Sequence, residues 1–156
     1  MPSLGPVRAR PPGAVLAMVL AGCSILAPTD PRLCSAAQDL SQAMSLVATA
    51  IEADAKQDIA RAQGLATQSR TLGEFGHATL DKMPDAEKPK AAFQALLEVY
   101  LHAGQAANAL LPAYGGTHAM AVAELEAGTA ALTTARGELP AMCFDLPADI
   151  ETPGAS

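Results

Sequence analysis

A chain of 156 residues with ten basic and sixteen acidic side chains, net −6, is long enough for one domain of ordinary size. An acidic surface of this kind argues against nucleic acid or anionic lipid held through charge. No Trp, two Tyr and three Phe leave little of the aromatic area on which sugar sites and large hot-spot surfaces depend.

Residues 1–13, MPSLGPVRARPPG, carry Arg8 and Arg10 and no acid, and an almost wholly apolar run from Gly13 to Gly22 follows. Basic, then apolar, then small is the pattern of a secretory signal. The run is about half of the ~20 residues that a membrane-spanning helix needs. The two arginines are not adjacent, so the general secretory route is expected over the twin-arginine one.

Leu20-Ala21-Gly22-Cys23 resembles the lipobox of bacterial lipoproteins: an apolar residue, two small ones and a cysteine. The resemblance implies a diacylglyceryl thioether on Cys23, cleavage between Gly22 and Cys23, and loss of residues 1–22. A thiolate is the side-chain nucleophile suited to accept the lipid. Two or three acyl chains hold a protein at a bilayer where one holds it marginally. The plainer alternatives are an ordinary secretory signal or an uncleaved anchor with Cys23 incidental. Cleavage would remove two of the ten basic residues and no acid, leaving eight against sixteen, net −8.

Cys34 and Cys143 then remain. In an exported chain an even pair is expected to be bridged, and neither C-x-x-C nor an adjacent His suggests a metal or redox role. The bond would close a loop of about 110 residues, for which chain entropy gives an upper figure of about 4–5 kcal/mol.

Ser24 to Leu33 contains Pro28 and Pro31 and reads as part of a tether, assigned to residues 23–34. Ser35 with Gln38 forms a capping box for a first helix. Leu40, Met44, Val47, Ile51, Ala55, Ile59, Ala62 and Leu65 then make one apolar stripe. A break is expected between Gly64 and Thr71, with Thr71 and Glu74 as a second capping box, because a helix of about fifty residues is unusual. Met83-Pro84-Asp85 ends that element. A third helix is expected from near Asp85, through Pro89, to about Leu111, with Phe93, Leu96, Leu97, Tyr100, Ala103 and Ala107 inward. Pro112 to Gly116 is a turn. Thr117 caps a last helix carrying Ala121, Leu125, Gly128, Leu132 and Ala135, with Gly137 expected in the C′ position.

These elements predict an all-α fold, a small up-down bundle of three to four helices over residues 35–143, followed by a tail at 144–156. Four helices in up-down order return the chain to its start, where Cys143 can meet Cys34. One long helix backed by two shorter ones would do the same. Ala103, Gly104, Ala107 and Gly128 among the core positions predict closely approached helices and a thin core, which a disulfide would reinforce.

Chemistry is sparsely signalled. Glu74 and His77 form one E-x-x-H, an element that occurs twice in di-iron bundles. Glu98, His102 and His118 could join them only if the helices converged, so Glu74, His77, His102 and His118 stand as weak metal candidates beside their reading as ordinary surface residues. No G-x-S-x-G, P-loop, H-E-x-x-H or glycine-rich dinucleotide motif is present, so no enzyme and no cofactor is expected. Val99 to Ala123 contains no Asp, Glu, Lys or Arg, yet its polar residues and Pro/Gly break oppose a membrane span. It is expected to pack within the bundle; if exposed, its tip at Pro112 to His118, with Tyr114 and His118, is the candidate partner surface.

The arrangement of signal, lipobox, tether and Ala-rich helices closed by two cysteines resembles the small helical lipoproteins of actinobacteria. The resemblance implies an address, the extracytoplasmic face of the cell membrane, and no reaction. A non-enzymatic interaction or accessory module in the envelope is the expected role, with an envelope protein as partner. The alternatives are a metal- or small-ligand-binding bundle and an exclusion or immunity lipoprotein of a mobile element.

Overall fold

The computed structural model describes residues 29–145, so Gly22, Cys23, the signal and most of the tail lie outside the described residues. Within them the chain is all helical: α1 Pro31–Ala55, α2 Ile59–Asp81, α3 Ala91–Ala109 and α4 His118–Glu138, with short 3₁₀ turns at Pro112–Tyr114 and Ala141–Phe144. Consecutive helices are antiparallel, α1 packing most closely on α2 and α3 on α4. Helix α1 also touches α3 and α4, whereas α2 and α4 lie on opposite sides. This is the up-down-up-down arrangement in which α4 returns to the start of α1.

The helix boundaries depart from the sequence expectation in four places, each for a local reason. Helix α1 begins four residues before Ser35, because Asp30 accepts from the Arg32 amide and Pro31 occupies the first turn. Proline lacks the N–H that the first turn leaves unpaired anyway, so an Asp-Pro pair is a strong start signal. The α1–α2 break falls at Lys56–Asp58 rather than at Gly64–Thr71. There the Asp58 amide donates to Ala53 O and the Gln57 amide to Asp54 O, with Gln57 left-handed at φ 62°. This is a Schellman closure built on glutamine in place of glycine. Asp58 then caps α2 by accepting from the Arg61 amide. Thr71 caps nothing; its hydroxyl donates back to Thr67 O inside α2.

Helix α3 begins at Ala91, not at Asp85. A proline disfavours helical backbone in the residue before it, so Pro89 breaks the segment, and residues 84–90 form successive turns held by Asp85–Lys88 and Glu87–Lys90 ion pairs. Gly137 is helical within α4, not its C′ residue. The stop comes from Pro140, which forces Leu139 into an extended conformation. Two expectations hold: Thr117 accepts from the Met120 amide at the start of α4, and Pro112 to Gly116 form a turn, in which Gly115 takes a left-handed φ of 66°.

The core is built from alanines interleaved with Leu33, Leu40, Met44, Val47, Leu80, Leu96, Val99 and Leu132. So many alanines permit close helix approach and limit the apolar area available for stabilisation. Gly76 shows how close: a Cβ there would stand 2.8 Å from Leu40 Cγ. Buried Ser69 crosses the same interface, donating to Ala43 O at 2.8 Å.

Cys34 and Cys143 are disulfide-bonded, with the Cys143 residue fully buried and 109 positions separating the two. The bond ties the 3₁₀ turn after α4 to the first turn of α1. Arg32 reinforces the same pole by donating to Lys82 O at 3.0 Å. At ~1.5 Å per residue the 25-residue α1 is about 37 Å long, which is the distance from this pole to the other.

Candidate functional site

The pole opposite the disulfide gathers the end of α1, the start of α2, the end of α3 and the tip turn. Of the charge-free stretch 99–123, Val99, Ala103, Ala106, Ala107, Ala109 and Ala121 are buried in the bundle. The tip itself is exposed, from Pro112 to Gly115 and from Thr117 to Met120, with Tyr114 at 52% and Met120 at 55%. The stretch is therefore divided: helix faces inward, turn outward. Gly116 makes the fold-back possible, since a Cβ there would collide with the Ala109 backbone.

Tyr114 and His118 are both exposed at this tip and reach different neighbours. The Arg70 Nη1 donates to the Tyr114 hydroxyl at 2.7 Å, and the guanidinium lies over the Tyr114 ring, 5.1 Å from its centroid. Cation and ring attract when so placed. His118 Nδ1 lies 2.6 Å from Asp54 Oδ2, joining the start of α4 to the end of α1. Together the two contacts hold the tip against α2 on one side and α1 on the other.

The four metal candidates do not gather. Glu74 and His77, one turn apart on α2, grip a single side chain of α3: Tyr100 donates to Glu74 Oε1 at 3.1 Å and stacks on His77 with ring centroids 4.2 Å apart. The E-x-x-H spacing is thus used to hold a tyrosine. Burial first, and then the bond to Glu74, push the Tyr100 hydroxyl above its ordinary value, so it remains a donor. His102 is engaged elsewhere, 2.7 Å from Glu124 across α3 and α4. The Gln105 amide, in the orientation that satisfies both its polar atoms, also donates to Glu124. Glu98 is exposed on α3. Among the described residues no three His, Cys, Asp or Glu side chains are grouped to hold a metal ion.

Sequence reasoning missed the cleft beside the tip. It has a volume of about 190 Å³ and is lined by Arg70, Gly73 and Glu74 of α2 and by Tyr100, Gly104 and Asn108 of α3, among others. The Asn108 Oδ1 is buried without a hydrogen-bond partner. A second depression of about 270 Å³ adjoins it across Gln105 and Asn108, running under Tyr114 to Met120 and Glu124. Arg70 and Asn108 lie in no motif, and only the packing of α2 against α3 brings them together. The one sequence signal is Gly104, a glycine in a helix interior that the apolar pattern places in the core. It lines the cleft instead, and a Cβ there would meet nothing within 4 Å.

No helix among the described residues is long and apolar enough to cross a membrane. Comparison with protein-family models, with curated proteins and with solved structures finds no match for this chain.

Proposed function

We propose that this chain is a lipid-anchored envelope protein, a non-enzymatic recognition module held at the extracytoplasmic face of the cell membrane through Cys23. The observation that carries the reading is the pairing of Cys34 with Cys143, which leaves Cys23 as the odd thiol of three. Disulfides persist in oxidising compartments, and the remaining cysteine sits where a lipobox would place it, after a basic and then apolar run. The described chain enters α1 at the disulfide pole, so an anchor ahead of Thr29 attaches at that pole and leaves the opposite pole free for a partner. That outer pole bears the exposed Tyr114, Met120 and Ile59.

A tip of this composition suits a protein partner, with Tyr114 as the aromatic anchor. A photo-crosslinking amino acid placed at Ala113, next to Tyr114, tests it in cells producing the lipidated protein. One discrete adduct is expected at 113, and none from the same probe at exposed Ala86 near the disulfide pole. Equal labelling from both positions, or none from either, removes the tip as a recognition surface.

A further inference from the structure

We propose that the outer face of α3 pairs with the same face of a second copy of this chain, antiparallel, about a two-fold axis between Leu101 and Gly104. The inference concerns this face alone and stands apart from the anchor at Cys23 and from the partner at the tip.

Helix α3 packs on α1 and lies between α2 and α4, which leaves one side without a neighbour. That side carries Glu98, Leu101 and Gln105, all exposed and spaced three and four apart, so they form one ridge. Leu101 is an apolar knob at 48% exposure. Beside it Gly104 leaves a notch, where an added Cβ would meet nothing within 4 Å. Glycine inside a helix is unfavourable relative to alanine, and no contact within the chain requires it here. Helical side chains lean toward the N-terminus, so Leu101 is directed away from its own Gly104. A second copy turned end for end can seat its Leu101 there. Beyond the notch the surface stays uncharged through exposed Tyr114 and Met120.

Charge selects the occupant. Arg70 lies on the tip side of the notch, in the wall that also contains Gly104 and Asn108. It forms no ion pair with a carboxylate among the described residues, and its contact with Tyr114 uses only one N–H of the fork. Glu98 lies one turn to the other side of Leu101 and likewise forms no ion pair among the described residues. The face is thus positive at one end, negative at the other and apolar between. A two-fold axis opposes each end of a patch to the opposite end of its copy. With each Leu101 over the other copy's Gly104, Glu98 lies level with the other copy's Ala107, where Arg70 reaches toward Tyr114. The pair forms twice. Parallel pairing would instead set Glu98 against Glu98, a repulsion that disfavours it. Two chains of net −6 repel, so the expected association is weak. Antiparallel pairing puts the two disulfide poles at opposite ends of the dimer.

The test is sedimentation equilibrium of the full chain in density-matched detergent, joined to a photo-crosslinking amino acid at Gln105 in cells. Wild type should dimerise with a Kd of about 100 µM or tighter. Leu101→Lys brings two cations to the axis and should weaken the dimer at least tenfold. Its melting temperature, measured below the Kd, should stay near that of wild type because the site is exposed. Arg70→Glu and Glu98→Arg should each weaken the dimer at least tenfold, and the two together in one chain should restore it. Loss of the Tyr114 contact cannot produce that recovery. The Gln105 probe should give an adduct of twice the mass of the chain. A monomeric wild type up to about 1 mM, or Leu101→Lys dimerising as wild type, would overturn the proposal. So would a double variant no tighter than either single one, or a Gln105 adduct with a different protein and none with the chain itself.

Discussion

Single side chains in this bundle act through space as much as through contact. Gly76 and Gly104 are both helical glycines, yet alanine should act in opposite directions at the two. At Gly76 the new methyl would press on Leu40 Cγ and on the Ala36 carbonyl, so Gly76→Ala should destabilise by about 1–3 kcal/mol in denaturant unfolding. At Gly104 the methyl meets nothing, and alanine should stabilise by about 0.4–1 kcal/mol. Asp39 supplies a pH-dependent test. Partial burial on α1 raises its carboxyl above the ordinary 3.8, so the folded chain binds that proton more tightly than the unfolded chain does. The carboxylate therefore opposes folding as pH rises through the raised value, and the loss is recovered as pH falls toward 3.8. Asp39→Asn should be more stable than wild type at neutral pH, with the difference closing under acid; parallel curves at all pH would contradict this.

At the scale of elements, the helical character and the inward faces were legible because apolar spacing carries them. Leu40, Met44, Val47, Phe93, Ala103 and Leu132 all point where the pattern places them, whereas Ala55 and Ile59 of the first stripe are exposed, because the chain turns between them at Lys56–Asp58. The boundaries were less legible because capping chemistry competes with better-known signals. Asp30-Pro31 lies inside a proline-containing stretch that reads as a tether, and the left-handed turn falls on Gln57 rather than on a glycine such as Gly64. A left-handed conformation costs an ordinary L-residue about 1–2 kcal/mol, so Gln57→Gly should raise stability by about 1 kcal/mol, while glycine at the helical neighbour Ala53 should lower it. A gain at neither position would mean that the turn is not held as described. The candidate site was the least legible element of all. Arg70, Glu74, Tyr100 and Asn108 come from two helices and form no motif, so only the register of α2 on α3 assembles them.

Over the whole molecule, the two poles of the bundle differ. A thin alanine core is closed at one pole by the Cys34–Cys143 bond and by Arg32 reaching Lys82 O. The other pole carries the exposed tip, the bridge from Arg70 to Tyr114 and the cleft beside them. Such a division of labour makes sense when one end is tethered and the other is presented. The tether is the central claim, and intact-protein mass spectrometry of the chain isolated from membranes of a lipoprotein-processing bacterium tests it most directly. The proposal predicts a species that begins at Cys23 and carries the added mass of a diacylglyceryl group, fully so, with fatty acid on its amine where the host acylates it. Material that begins upstream of Cys23, or at Cys23 without lipid, would contradict it.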